Sequence, residues 1–263
     1  MAMALVVGAL GNDVSAAGLV PLGAAGGFGV LANTTVTNTG ATVVNGDLGL
    51  TPGVAVTGFP PGTVVGGAIH INDAPAVAAK TAAQAAFTAL NALPCDFTYG
   101  AGQDLTLLSP MTPAVRCFTS SALMTGPVVL NAAAGQDFVF KIASSLTVSN
   151  NATMTIGGGA TACDVSWGAG SSATLGTNSS LLGNILAFAS VTLGTSANLS
   201  GGAYALNGAV TLDTNSVQAC GSPASATSKS IPTLSEWGMI LLAGILALVG
   251  LAAVRKRNGE LPN

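Results

Sequence analysis

The 263-residue chain is 49% hydrophobic, carries 35 glycines, and has only 6% charged residues and a formal net charge of -3. It is long enough to bury a core, but its seven Lys and Arg residues make no polyanion-binding surface, so nucleic acid is excluded as a partner. A single histidine, His70, rules out a His-based triad and a multi-His metal site; no catalytic residue, metal or cofactor is expected, and the chain does not read as an enzyme.

Residues 1–18 hold a short apolar run followed by small residues around Val14 to Ala17, the pattern of a secretory signal, although no Lys or Arg precedes the run. Residues 19–221 are the main domain. From Pro21 to Asp73 the chain is rich in Thr, Gly, Asn and Val, with turns at Thr39-Gly40, Asn45-Gly46 and Pro60-Pro61-Gly62. GGAIHIND from Gly66 mirrors GGAYALNG from Gly201, which puts Ile69 and Ile71 inward and His70 outward. Thr35, Thr37 and Thr42 read as ordinary exposed strand residues; an extension of the threonine face is the alternative, and the sequence does not fix their register.

Ala74 to Leu93 is the one clear helix. Asp73 is its N-cap, Pro75 suits the first turn and Pro94 closes it. It is nearly all alanine, with Lys80 as its only charge, so it must pack against apolar surface. Cys95 to Cys117 reads as a loop with short strands, and Thr119 to Asn131 returns to strand spacing.

The stretch from Ser172 to Val217 then says nearly the same thing three times: SATLGTNS from Ser172, SVTLGTSA from Ser190 and AVTLDTNS from Ala209. A looser copy, SLTVSNNA, begins at Ser145. The lead-in strands QDFVFKIAS, GNILAFAS and GGAYALNGA run up to the copies at Ser145, Ser190 and Ala209. Similarity at a fixed period means stacked coils. Period-2 alternation turns Thr147, Thr174, Thr192 and Thr211 outward as a ladder at roughly 4.8 Å spacing, with Thr177, Thr195 and Thr214 as a second column. In the lead-ins Phe140, Ile185 and Tyr204 stack inward, as do Ile142, Ala187 and Leu206. Leu186 and Phe188 face out, which is where the alanine helix is expected to lie. Gly157-Gly158-Gly159 and Gly168 to Gly170 read as corners.

Residues 222–230, SPASATSKS, are a polar linker. Trp237 to Val254 is free of charge for about 27 Å of helix, enough to span a bilayer, and Arg255-Lys256-Arg257 would stop it on the cytoplasmic side, leaving 258–263 as a tail. With Ile231, Pro232, Thr233, Leu234 and Trp237, the segment 231–257 resembles the IPTL-type sorting signal of Gram-negative bacteria, which is similar to the PEP-type signals handled by exosortases. The resemblance implies export to the cell surface or medium, at least transient anchoring in the membrane through that helix, and a sorting protease as partner. An ordinary membrane anchor is the alternative.

From Pro21 to Cys220 the chain resembles the microbial ice-binding protein family, through FGVLANTTVTNTGATVVNGDLGL, GVAVTGFPPG, SSATLGTNSSLLGNILAFASVTLGT and GAVTLDTNSV. The resemblance implies a mainly β fold, a discontinuous right-handed β-solenoid with one long α-helix packed alongside, and adsorption to ice through one flat face. Thr147, Thr174, Thr192, Thr211, Thr177, Thr195 and Thr214 are then the candidate ice-binding residues, an ice crystal surface is the partner, and a monomer is expected. A surface adhesin or coat protein without ice activity is the rival. Pectin-degrading enzymes also use β-solenoids, but they need clustered carboxylates, whereas Asp47, Asp164 and Asp213 stand singly near turns or strand ends. The four cysteines of a chain that looks exported favour two disulfides. Cys95 with Cys117 and Cys163 with Cys220 is the preferred pairing; the other connectivities, and four free thiols, remain open.

Overall fold

Strands of two to five residues separated by glycine and asparagine corners are too short to form a sheet with their chain neighbours, so each pairs with its equivalent one coil away. Asn184–Ala187, Val191–Leu193 and Asn198–Ser200 make one such coil, and Ala203–Ala205, Val210–Asp213 and Ser216–Gln218 the next. Every pairing is parallel. The computed structural model describes residues 20–221 and forms a three-sided solenoid. One side is a nine-stranded sheet, the second an eight-stranded sheet, and the third is split into sheets of five and two strands. The signal-like segment, the linker, the sorting motif and the apolar span 237–254 lie outside the described residues. Among those that are described, no helix is long and apolar enough to cross a membrane.

Stacking order differs from chain order. The first coil pairs with the last on all three sides, Val30 with Ala203, Val36 with Val210 and Val44 with Val217. The coil of Asp47–Leu50, Ala55–Thr57 and Thr63–Val65, continued by Ile69–Ile71, ends the stack beyond it. The chain must then travel to the opposite end, where Phe97–Tyr99 is the edge strand of the nine-stranded sheet. Helix α1, Ala74–Ala92, makes that journey. Nineteen residues give about 28 Å, and the four extended residues after it complete the roughly 38 Å needed to pass nine strands.

The helix begins as its sequence requires. Asp73 accepts from Ala76 N at 3.0 Å, and the same carboxylate meets His70 Nδ1 at 2.7 Å. These two bonds, the backbone one first, hold the Asp73 carboxyl below the usual carboxylate range. Ala79, Ala83, Ala86 and Leu90 bury against Leu31, Val139, Leu186 and Tyr204 of the nine-stranded sheet. Phe87 reaches Phe188, ring centroids 6.4 Å apart, so the helix lies where the outward Leu186 and Phe188 demanded it, although Phe188 stays 52% exposed. Close approach depends on Gly168, where a Cβ would come within 2.4 Å of Leu90 Cδ2. Nearer the start of the helix Lys80 is buried; its ammonium donates to Asn33 Oδ1 and Thr51 O, and burial pulls its pKa down.

Several readings of the sequence need correction. Tyr204 and Leu206 do not point into the solenoid. Tyr204 is in register with Leu186, under the helix, and its hydroxyl donates to Ala25 O or Phe28 O at 3.1 and 3.0 Å. The lead-in strands keep an 18-residue offset, Ile185 opposite Ala203, and the extra residue of the 19-residue offset, Val191 opposite Val210, falls in the intervening corner near Asn207-Gly208. Gly168 is not a corner but the fourth residue of Val165–Ala169, the lead-in missing from the sequence reading. Ile69 and Ile71 do take inward register, opposite Leu48 and Leu50, yet each is 41% exposed because theirs is the edge strand.

Inside, Phe140 and Trp167 stack at 4.0 Å between centroids, and Tyr99 on Phe118 at 5.0 Å. Both disulfides follow the preferred pairing, Cys95–Cys117 and Cys163–Cys220. Leu90→Ala is expected to destabilise the domain by about 2–5 kcal/mol, because the cavity would open between two packed layers that cannot collapse around it. Chemical denaturation of wild type and variant measures this.

Candidate functional site

The eight-stranded sheet is the side whose outward residues repeat in kind. Its inward residues Leu146, Ala173, Val191, Val210 and Val36 are fully buried, which fixes the alternate positions outward. There, register sets Thr147 beside Thr174, Thr174 beside Thr192, Thr192 beside Thr211, Thr211 beside Thr37, and Thr37 beside Thr57. The ladder therefore joins all four predicted threonines and continues through two that the sequence reading did not place on it. Thr37 looked like an ordinary strand residue and Thr57 was not singled out, although AVT at Ala55–Thr57 repeats the apolar-Thr pattern. The reason is topological: both lie on coils far away in sequence that stack beyond the last repeat. Beyond Thr147 the ladder ends in Leu123 and then Asp104.

Two residues upstream of each rung runs a column of small side chains, Ser145, Ser172, Ser190, Ala209, Thr35 and Ala55. Its hydroxyls are tied to neighbouring coils: Ser121 and Ser145 Oγ atoms are 3.0 Å apart, Ser190 N donates to Ser172 Oγ at 3.3 Å, and Ala209 N donates to Ser190 Oγ at 3.2 Å. Such bonds hold the edge of the sheet level.

On the downstream edge Thr177 and Thr195 occupy equivalent positions, but Thr214 does not continue their column. Asn151, Asn178, Ser196 and Thr214 all have positive φ, 60°, 56°, 60° and 53°, and donate their N–H to Thr177 O, Thr195 O, Asp213 O and Thr39 O. That pattern makes Thr214 a corner residue and gives the position next to Thr195 to Asp213, with Thr39 beyond it. Thr195 donates its hydroxyl to the Asp213 carboxylate. The cause is a deletion: the last coil has one residue fewer between Leu212 and Ser216 than its neighbour has between Leu193 and Asn198. Asn215 fills the gap. Its amide donates to Gly194 O at 2.8 Å and Ala197 O at 2.9 Å, its Oδ1 accepts from Asp213 N, and its own N–H donates to Thr42 Oγ1 at 3.0 Å. Thr42, expected at the surface, is consequently fully buried.

Electrostatically the sheet is nearly blank. No Lys, Arg or Glu stands on its outward positions, and its two carboxylates sit at the margins. Burial alone would raise the pKa of Asp104, but bonds from the Thr125 hydroxyl and from Thr106 N outweigh it and hold the group low. The third side differs in kind. Its outward rows mix Thr63, Val43, Ser216, Asn198 and Ser180 in one column and Val65, Asn45, Gln218, Ser200 and Leu182 in the next. The nine-stranded sheet is covered by the helix.

The family model described as ice-binding-like matches residues 30–218, the whole stack except its margins. The chain belongs to the ice-binding-like family. An IPTL-CTERM motif matches residues 229–256, which contain Ile231 to Leu234 and Trp237. A protein of Nostoc sp. (strain HG1) named ice-binding protein is 40% identical over 251 residues, covering 94% of this chain and 90% of its own length. Among solved structures, the ice-binding protein of the Antarctic ascomycete Antarctomyces psychrotrophicus superposes with a TM-score of 0.72 at 38% identity, covering 76% of this chain and 98% of that one. An ice-binding protein from an Antarctic biological consortium gives 0.70 at 39% identity, covering 76% and 90%. In this ice-binding-like domain Asn215→Ala would take the side-chain donor from the buried Ala197 carbonyl and the acceptor from the Asp213 amide, while the half-buried Gly194 carbonyl keeps the Ala197 N–H, and is expected to cost about 2 kcal/mol. A lowered denaturation midpoint with an unchanged slope would be the sign of it.

Proposed function

We propose that the protein adsorbs to ice through the threonine sheet, with Thr147, Thr174, Thr192, Thr211, Thr37 and Thr57 as the central ladder and Thr177, Thr195 and Thr39 along one edge. The observation that carries this reading is the uninterrupted register of six identical side chains across six coils, on the one side that is neither covered nor chemically mixed. Strand stacking spaces the rungs by roughly 4.8 Å, and alternate residues along a strand stand about 6.6 to 6.8 Å apart. Both repeats are close to oxygen spacings in ice. Each threonine offers a methyl group that keeps bulk water from binding tightly and a hydroxyl that fixes one water molecule. A lattice of such sites favours an ordered layer that a crystal can continue, whereas ionic groups would turn water around themselves.

The membership in the ice-binding-like family and the names of the relatives support the activity; the choice of face is our own reading, and Thr214 stands outside it. The IPTL-CTERM motif supports export and handling by a sorting protease, with 237–254 as the membrane-spanning segment.

Thr192→Tyr places a bulky ring in the middle of the ladder. Ice recrystallisation inhibition is expected to fall by about tenfold or more, equivalent to about 1.4 kcal/mol of lost adsorption, while the melting temperature holds. Ser200→Tyr on the third side should leave activity unchanged. If the two variants behave in reverse, the ice-binding face is the third side; a folded wild type that leaves ice growth untouched favours the inactive adhesin instead.

A further inference from the structure

One flank of helix α1 leaves a groove against the nine-stranded sheet. A cavity of about 470 Å³ is lined by Phe87, Asn91, Lys141 and Phe188, where the small residues Ala143 and Gly170 leave the room. A second, of about 230 Å³, shares Phe87 and Phe188 and continues past Gln84, Thr88 and Asn207. The two lie end to end. On the sheet side Phe118, Ala143, Gly170, Phe188 and Asn207 come from five successive coils, whose stacking gives the groove a length of about 19 Å.

Its walls combine rings, amides and one charge. Phe188 is 52% exposed even with the Phe87 ring beside it. Asn91 Nδ2 donates to Phe87 O at 2.9 Å and Asn207 Nδ2 to Phe188 O at 3.0 Å, so a carboxamide is held next to each ring. Lys141 donates one ammonium N–H to Leu93 O at 2.6 Å, at the end of the helix, which leaves it two more. Lys80 and Arg116, the other cations among the described residues, are buried in the fold, and no carboxylate lines either cavity.

We propose that this groove binds an acidic oligosaccharide, a chain of pyranose rings that carry carboxylates. The negative face of an aromatic ring attracts the polarised C–H groups on the flat side of a sugar, which gives the half-exposed Phe188 a partner. Sugar hydroxyls exchange hydrogen bonds with the carboxamides of Asn91, Asn207 and Gln84, groups that both donate and accept. Lys141 selects the charge, because its bond to a carboxylate is stronger than one to a neutral oxygen. An acyl chain of similar length would strip water from the same amides and return no hydrogen bond. The groove contains none of the ladder threonines, so the inference stands or falls separately from the ice-binding reading.

The test is calorimetric titration of the full chain with tetramers of galacturonic acid and, for comparison, of glucose. The wild type should bind the acidic tetramer about tenfold more tightly than the neutral one. Added salt should narrow that gap, since it screens the ammonium. Phe188→Ala should weaken both sugars by about tenfold or more with the melting temperature held, and Lys141→Gln, which keeps an N–H for Leu93 O, should remove only the preference for the acid. Both variants should inhibit ice recrystallisation as the wild type does. If Lys141→Gln fails to fold, Phe188→Ala and the salt dependence decide. No binding of the acidic tetramer at millimolar concentration overturns the proposal, as does binding that both variants retain in full. Equal, salt-independent binding of the two tetramers overturns the acidic class of ligand, and the proposal with it.

Discussion

Backbone pairing between successive coils is the constraint from which everything else follows. A parallel ladder admits one strand separation, and once the inward residues are apolar it admits one register, because a slip by one residue would turn every valine and leucine to water. Thr192 stands over Thr211, and Thr211 over Thr37, for no reason involving the threonines themselves. Val191, Val210 and Val36 are fully buried and must align, and the threonines next to them are carried into line. A regular surface is thus a by-product of a regular core.

The same logic explains where the fold stops being regular. Stacked parallel strands leave two open ends with unpaired backbone, the usual seed of unwanted association. Between Pro127 and Pro223 the chain has no proline, whereas Pro52, Pro60 and Pro61 fall in the coil at one end and Pro94, Pro110, Pro113 and Pro127 at or near the other. None of these lies within an edge strand; they stand in the corners and loops beside the end strands, where proline offers no backbone donor. The ladder loses its threonines in the same place, at Leu123 and Asp104, which suits an end coil better than a templating surface.

Much of this was legible in the sequence, and each failure has a physical cause. The repeats at Ser172, Ser190 and Ala209 and the alanine helix with its Asp73 cap depend on local spacing; the two disulfides follow the pairing preferred in the sequence, which left the other connectivities open. Tyr204 and Thr214 were misplaced because a single insertion and a single deletion sit inside corners, where they shift one strand and spare the next; Gly168 was misread because a Gly-Ala-Gly run looks like a corner, although its strand keeps the same offsets to its neighbours as the threonine strand that follows. Aligning the last repeat on its threonine carried Tyr204 inward, while the ladder itself keeps Tyr204 beside Leu186. Thr37 and Thr57 escaped because adjacency in the stack is not adjacency in the chain, and periodicity alone cannot tell which coil lies next to which.

That discontinuity has a physical advantage. A continuous solenoid of the repeats alone would offer the threonines of Thr147, Thr174, Thr192 and Thr211 and expose a hydrophobic end coil beyond Val210 and Val217. Folding the N-terminal coils onto that end covers both valines and adds Thr37 and Thr57 to the ladder in one step. The helix is what makes the arrangement possible, since it returns the chain along the stack while shielding the one sheet whose outward residues, Leu31, Leu186 and Tyr204, are apolar or need a hydrogen bond. Covering that sheet with nearly uncharged alanines leaves the opposite region of the surface to the threonines. The length of the ladder is therefore set by how the two ends of the domain close upon each other, so a lesion at the junction of Thr211 and Thr37 acts on the core and on the surface together.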